Sequence, residues 1–400
     1  MTTLKRADID AATLAHRLRR KLKGEVRFDD GFRALYATDG SNYRQTPIGV
    51  IRPKDEEDVC ETFALCREFG APITSRGCGT SLAGQCCNVA VIVDYTRFMN
   101  RILEIDPQRK LARVQPGVIH VHLHNAAERH HLTFGPDPAT HRWCTLGGMI
   151  GNNSCGVHSQ MAGRTADNVE ALEILLYDGT RMRVGRTTES ELQQIIRAGG
   201  RRGEIYSKLK ALRDRYADLI RRRYPRIPRR VSGYNLDELL PEDGFHVARA
   251  LVGSEGTCVA VLEAILNLVH SPPHRSLLVL GYPDIFQAGD HIPQVAGHGP
   301  VGLEALDHKF VSDLCKKHLQ EDHIALLPEG KGYLMVEFGG ETREESDQKA
   351  RRVMAELKRG RNAPTMKLFD KKEEEEQRVC IDQALESARI GFGCDGAHSR

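Results

Sequence analysis

PITSRGCGTSLAGQ, residues 72–85, decides how the chain is read. Pro72 opens it, and Gly77, Gly79 and Gly84 alternate with the hydroxyl residues Thr80 and Ser81. Glycine weakens strands and helices, and buried hydroxyls need partners, so a run of this kind builds no core. Gly77 and Gly79 permit positive φ and close approach, and successive N–H groups with the Thr80 and Ser81 hydroxyls form an anion nest. The run matches neither GxGxxG nor GxxxxGK[ST]. Taken alone it is either a structural turn or a site for a phosphate-like anion.

The flanks give it an α/β setting. GVIRP, from Gly49, reads as a short strand, and PKDEEDVCETFALCREFG (53–70) as a helix. Acidic residues crowd the first turn of that helix, Val59, Phe63 and Cys66 share a face, and Gly70 stops it. NVAVIVDY (88–95) is the clearest buried strand, LARVQPG (111–117) another, and VIHVHLHNAAERHH opens a helix. Residues 9–23 read as an amphipathic helix through Ile9, Leu14, Leu18 and Leu22. Residues 133–168 show little periodicity and read as loop; LEILLYDGTRMRV (172–184) reads as a hairpin turning at Asp178-Gly179 with primed geometry. Residues 205–220 form a helix with Ile205, Leu209, Leu212, Tyr216 and Leu219 on one side, and 258–270 is strand-like. Beyond Ser271, strand-like 276–282, helical 310–319, strand-like GYLMVEFGG and helical REESDQKARRVMAELKRG alternate without glycine-rich loops, as a second α+β domain would.

Composition sets outer limits. The 400 residues allow two or three domains, and 40% hydrophobic with 28% charged residues is ordinary for a globular chain. A net charge of +3 is too small over this length to indicate nucleic acid, and no nucleic-acid partner is expected. RRRYPRIPRR (221–230) is nevertheless a basic block, either a solvated face or a contact with an acidic partner or anionic membrane surface. Eleven Cys without a CxxC, no apolar leader at the N-terminus and no apolar run approaching ~18 residues point to reduced thiols and a cytoplasmic location.

Three further clusters carry chemistry. PDPATHRWCTLGGMIGNNSCG (136–156) crowds backbone and amide donors into a loop longer than compact domains usually keep without a function. GRTADNVEALEILLYDGT (163–180) follows it. In ALVGSEGTCVAV (250–261) a small-residue turn precedes a strand, and Glu255 there is either a catalytic carboxylate or a holder of backbone N–H groups.

The four loops in this order resemble the FAD-binding domain of the vanillyl-alcohol-oxidase type, in the branch of D-lactate, glycolate and D-2-hydroxyglutarate dehydrogenases. The pattern P-x-x-x-R-G-x-G-T-S-L-x-G is met at Pro72, Arg76, Gly77, Gly79, Thr80, Ser81, Leu82 and Gly84; P-D-P with T-x-G-G and an Asn/Gly cluster at Pro136 to Gly156; and G-S-E-G-T at 253–257. The resemblance spans roughly residues 25–330 against the usual domain size. It implies an α+β chain: an N-terminal helical segment (1–45), a two-subdomain PCMH-type FAD-binding domain (46–270), and an α+β substrate or cap domain (271–400) that is C-terminally incomplete. It implies FAD as cofactor, its pyrophosphate on N–H groups of Arg76, Gly77, Cys78, Gly79, Thr80 and Ser81. Pro136, Asp137, Thr145, Gly147, Gly148, Asn152, Asn153, Ser154, Gly156, Thr165, Asn168, Glu255 and Gly256 complete the expected cofactor site, with Glu255 placed there and not in catalysis. Some members of the wider fold bind flavin through a His at the position of Thr80, so non-covalent FAD is expected.

The implied reaction is oxidation of a D-2-hydroxy acid to the 2-oxo acid, hydride passing to the flavin. Electrons then go to a quinone, a cytochrome or an electron-transfer flavoprotein. An Arg for the substrate carboxylate and a His or metal for the alkoxide are expected late in such chains. Relatives with a metal carry H-x-G-D-G-x-x-H, which this sequence lacks, so no metal and no catalytic residue is assigned. Leu385 stands where the Arg of an R-E-S segment belongs, His398 is a lone residue in a tail, and no ferredoxin-type Cys run appears. Two alternatives stay open: a FAD-binding fragment without turnover, and a relative that uses the fold for a reduction, as cell-wall precursor reductases do. Peripheral contact with the inner membrane through 221–230 is a further expectation.

Overall fold

The structure is a computed structural model and describes residues 9–318, 324–360 and 362–369. Leu385 and His398 therefore lie outside the described residues. The chain forms two compact units. The first is made by residues up to Ala127 with His141–Ser154 and Arg164–Leu268; the second by Glu128–Thr140, Cys155–Gly163 and the chain from Val269 onward.

In the first unit, a four-stranded sheet runs in the order Glu25–Arg27, Gly49–Arg52, Val91–Asp94, Ile73–Arg76, the last three parallel. Every residue of Val91–Asp94 is buried, as expected of a strand central in a parallel sheet. The helix Glu56–Glu68 crosses from the second strand to the edge strand; Asp55 caps it by accepting from Asp58 N. Its Leu65 and Cys66 pack with Leu14 and Leu18 of the helix Ala11–Lys21, while Val59 and Phe63 pack with Leu175, Ala260 and Leu262. Those last three belong to a five-stranded antiparallel sheet, Ile102–Asp106, Leu111–Val114, Ala260–Asn267, Val169–Leu175, Arg181–Gly185. One helix thus joins two sheets through two faces. The loop after Arg76 leaves the carboxyl end of a parallel strand, where open α/β sheets place their ligands.

Three local expectations change. The hairpin turn is not primed, because only Gly179 (φ 92°) has positive φ, and Gly179 N donates to Leu176 O. Residues 133–168 contain a helix, Leu146–Asn152, whose seven residues include three glycines and so show no periodicity. The long helix Gly200–Arg223 buries Gly203, Tyr206, Arg213 and Ile220, and Leu219 is 46% exposed. Its buried stripe contains an arginine, which a hydrophobic-periodicity reading excludes. Arg213 is held over the Phe245 ring at 5.3 Å and bonded to Asp214 and Glu189.

The second unit is built on the antiparallel sheet Gly302–Asp307, Gly332–Gly340, His274–Tyr282, Thr365–Phe369. Leu278, Leu280, Leu334, Val336 and Phe338 face the helices Ile285–Ala296 and Arg343–Leu357; Leu277, Val279, Tyr333 and Met335 face the side of the helix His308–Lys316. Alternation along each strand produces both sets, and both faces are covered. The helix Ile285–Ala296 and the strands Gly302–Asp307 and Thr365–Phe369 escape the sequence reading; Gly289 and the internal Pro293 break the helical pattern of the first. Among the described residues no helix is long and apolar enough to cross a membrane.

Candidate functional site

The first unit holds a cavity of about 550 Å³, within the range of cofactor sites. Arg76, Gly77 and Ser81 line it from the glycine-rich loop, Thr145, Gly147, Gly148, Gly151 and Asn152 from the short helix and its cap, and Ser254 to Val259 from the fourth loop. Phe63, Ile73, Tyr95, Leu172 and Val261 give it an apolar floor.

The glycine-rich loop is held open from behind. Arg76 is buried, and its guanidinium donates to the carbonyls of Tyr36 (3.2 Å), Cys86 (3.2 Å) and Thr38 (2.8 Å) beside the Tyr36 ring. It braces the loop. A Cβ on Gly77 would sit 2.1 Å from Thr145 Oγ1, so only glycine lets the two walls approach this closely. Gly79 has φ +72° above the Arg76 guanidinium. Among the described residues, no protein acceptor meets the N–H groups of Gly77, Cys78, Gly79, Thr80, Ser81 or Leu82. Orphaned donors in such a row are rare, and here two of their residues line a cavity.

The helix Leu146–Asn152 differs. Leu146 N donates to Val118 O, Gly147 N to Pro116 O (both 2.8 Å), and Gly148 N to the capping Thr145 Oγ1 (3.2 Å). Its first donors are satisfied, and Gly147 serves packing, since a Cβ there would meet Pro116 Cβ at 2.8 Å. At its other end Gly253 N and Glu255 N donate to Ile150 O and Gly151 O, so the fourth loop supplies partners to orphan helix carbonyls. Glu255 pays with a left-handed φ of 53°. Burial pushes its carboxyl above the usual range, against a hydrogen bond from Gln85.

Asn153, Ser154, Thr165 and Asn168 do not line the cavity; they brace it. Asn153, fully buried at φ 54°, ends the helix and accepts Ala166 N at Oδ1 (3.0 Å). Thr165 donates to Ser154 O through N (2.9 Å) and Oγ1 (2.7 Å), and Asn168 Nδ2 donates to Arg164 O. Pro136, Asp137 and Gly156 belong to the second unit. A Cβ on Gly156 would fall 1.8 Å from Asp137 O, and the Asp137 carboxylate accepts His158 N at Oδ1 (2.9 Å) and pairs with His158 Nδ1 at Oδ2. That carboxylate is already committed.

His158 centres a cluster the sequence reading missed. Its Nε2 lies 3.1 Å from Glu337 Oε2, while Arg275 donates to Glu337 Oε1 (3.3 Å) and Ser271 Oγ (3.0 Å), and Ser271 Oγ donates to Glu128. Burial alone would lower the His158 pKa; Asp137 and Glu337 overcome it and raise it to about 10. Arg275 Nη1 also lies 3.0 Å from Nε2, which suits a neutral ring accepting from it. The imidazolium is favoured, because the two ring nitrogens lie beside the Asp137 and Glu337 carboxylates. One signal was available: Glu337 is the lone charge in GYLMVEFGG, a strand buried throughout, and a buried carboxylate needs a partner. Among the described residues no group of His, Cys, Asp and Glu is arranged to hold a metal.

Known proteins resemble both parts of the chain. Residues 47–185 match the FAD binding domain, and residues 271–385 match the C-terminal domain of FAD linked oxidases. The chain is 31% identical over 344 residues to a D-2-hydroxyglutarate dehydrogenase of Pseudomonas putida, covering 84% of this chain and 34% of that protein. It is 30% identical to the glycolate oxidase subunit GlcD of Bacillus subtilis, covering 80% and 58% respectively. It thus spans about a third of the first relative and little over half of the second. Among solved structures it shares the fold of p-cresol methylhydroxylase (TM-score 0.63, 14% identity, 96% of this chain and 72% of that one). The same holds for an alkyldihydroxyacetonephosphate synthase (TM-score 0.62, 17% identity, 93% and 64%).

Proposed function

Because this chain belongs to the FAD-linked oxidases, with FAD as their cofactor, we propose that it oxidises a D-2-hydroxy acid of the lactate, glycolate or 2-hydroxyglutarate type to the 2-oxo acid. In this reading residues 46–270 hold the cofactor and residues 271–400 supply the cap over the substrate. The observation that carries it is the run of N–H groups from Gly77 to Leu82 that, among the described residues, meets no protein acceptor, with Gly77 and Ser81 lining the cavity. A pyrophosphate is the anion these donors fit, and Gly77 against Thr145 leaves room for nothing bulkier than backbone. Thr80 offers no imidazole for a covalent flavin link, so the cofactor is held non-covalently.

Bound FAD supplies the acceptor for the hydride leaving substrate C2. The chain's own residues do the remaining work. The Gly77–Leu82 donors bind, Arg76 fixes the loop that presents them, and Phe63, Ile73, Tyr95 and Leu172 keep water from the cavity floor. Thr145, Gly147, Gly148, Asn152 and Gly256 form the opposite wall. An electron acceptor of the quinone, cytochrome or electron-transfer-flavoprotein class follows from the reaction.

One observation favours a second reading, a protein that holds FAD without turnover. Among the described residues lining the cavity, the sole arginine is Arg76, already bonded to three carbonyls, and no histidine is present. Anaerobic visible spectra of the FAD-loaded chain with D-lactate, glycolate and D-2-hydroxyglutarate separate the two. Bleaching by one acid supports the dehydrogenase; a flavin band that none bleaches supports the second reading. A chain that takes up no flavin overturns both.

A further inference from the structure

The basic block 221–230 takes no part in the cavity, and its six arginines fall into two groups. Arg221 and Arg230 are paired with carboxylates. Arg221 is bidentate to Glu242 (2.7 and 3.0 Å), and Arg230 bonds Asp237 (2.5 Å), lies over the Tyr224 ring at 4.6 Å and accepts Arg164 Nη1 at its carbonyl (2.7 Å). Tyr224 OH donates to Tyr234 O (2.8 Å), so both ends of the loop are clasped to the first unit. Arg222, Arg223, Arg226 and Arg229 are exposed, and among the described residues none of them meets a carboxylate. From Arg215 to Arg230 the only acid is Asp218, and that pairs with Arg221.

The loop between the clasps is stiff. Pro225 follows the last helical turn and Pro228 restricts Ile227, so the segment holds its shape without strand partners. At its tip Ile227, 58% exposed, stands between Arg226 and Pro228, and Leu219 is 46% exposed one turn before the arginines. An apolar tip flanked by guanidinium groups that, among the described residues, have no carboxylate partner suits one kind of surface: headgroup phosphates for the arginines, and the acyl boundary for the isoleucine. Nucleic acid would want aromatic faces among the cations, and Tyr224, the one aromatic in the block, lies under Arg230.

We propose that residues 219–229 dock the protein peripherally on an anionic phospholipid bilayer, with Arg222, Arg223, Arg226 and Arg229 on headgroup phosphates and Ile227 at the acyl boundary. This stands apart from the flavin reaction and survives its failure.

The test is co-sedimentation of the full chain with phosphatidylcholine vesicles and with vesicles containing one quarter phosphatidylglycerol, at low and at 0.5 M salt. Binding to the anionic vesicles alone, and its release by salt, is expected. Arg222→Glu/Arg223→Glu/Arg226→Glu/Arg229→Glu lowers the partition coefficient roughly a hundredfold or more, since each cation near such a surface counts separately. Ile227→Asp weakens binding by a smaller factor, and Arg226→Ala/Arg229→Ala serves should the fourfold variant not fold. Control reversals at the exposed Arg19 and Arg20 leave binding unchanged. Binding to neutral vesicles of equal strength, retention by a folded fourfold variant, or capture by duplex DNA or polyglutamate without vesicle binding overturns the proposal.

Discussion

The cavity wall of the first unit and the charged cluster of the second treat buried polar groups in opposite ways. In the loop that lines the cavity through Gly77 and Ser81, the N–H groups from Gly77 to Leu82 meet no protein acceptor among the described residues. Around His158, each charge lies beside an opposite one, and Asp137, Glu337 and Arg275 leave no comparable row of open donors. An arrangement that leaves donors open is built for something that arrives later; one that matches its charges internally is built to hold itself. The same contrast appears in two buried histidines. His246, 1% exposed, caps the helix Val247–Leu251 by accepting from Arg249 N, and burial, with Arg249 and Arg186 nearby, lowers its pKa to about 4. His158 is raised to about 10 because its neighbours are carboxylates. Burial acts alike on both rings; the partners decide the charge.

Removing one side of the cluster is the most severe way to break the comparison. Glu337→Ala leaves the imidazolium and Arg275 short of a carboxylate in the interior, and a loss of about 3–5 kcal/mol is expected in urea unfolding of the second unit. A midpoint equal to the parent would show that the cluster does not hold the unit. Deprotonating His158 tests the same cluster while keeping its side chain. Its folded pKa lies above the unfolded value of about 6.5, so its contribution is complete below that pH and disappears as pH rises towards about 10. His246 has the reverse sign: its contribution is complete above about 6.5 and is lost as pH falls towards about 4. His158→Gln should flatten the alkaline limb of stability against pH and His246→Gln the acid limb, with Trp143, the single tryptophan, reporting on the first unit. Exchange of the two limbs between the variants would overturn both charge assignments.

Smaller changes sharpen the reading of the cavity. Gly77→Ala places a methyl against Thr145 Oγ1, and overpacking of about 1–3 kcal/mol should appear as a tenfold to hundredfold weaker FAD affinity by fluorescence titration. Unchanged affinity would remove the loop from the cofactor site. Thr165→Val loses the hydroxyl bond to Ser154 O and leaves that carbonyl with the Thr165 N–H alone; about 1 kcal/mol of stability should go, by thermal melting, with little change in FAD affinity. Gly151→Ala has the least effect on folding, since nothing lies within 4 Å of the added Cβ. Because Gly151 lines the cavity, its FAD affinity should nevertheless fall. A melting temperature that drops while affinity holds would place Gly151 in the scaffold and not at the ligand.

Much of this was legible in the sequence, and the division follows distance along the chain. The strand–loop–strand around Arg76 and Val91, the acidic first turn of the helix Glu56–Glu68 and the strand within His274–Tyr282 are local, set by spacing, backbone freedom and side-chain chemistry within a few residues. The glycine clusters were visible for the same reason, but their uses were not: at Gly77 the donors are open, at Gly147 they are satisfied, and the two look alike as text. Only the tertiary structure decided that Asn153, Thr165 and Asn168 brace the wall, and that Asp137 answers a histidine. It also decided that the buried stripe of Gly200–Arg223 runs through Arg213. His158, Arg275 and Glu337 come from places more than 60 residues apart, and Glu337 meets Arg275 because neighbouring antiparallel strands bring them to one face. A charge's partner is fixed by register and packing, which no local pattern encodes; the backbone's freedom to turn is fixed residue by residue, which the sequence states outright.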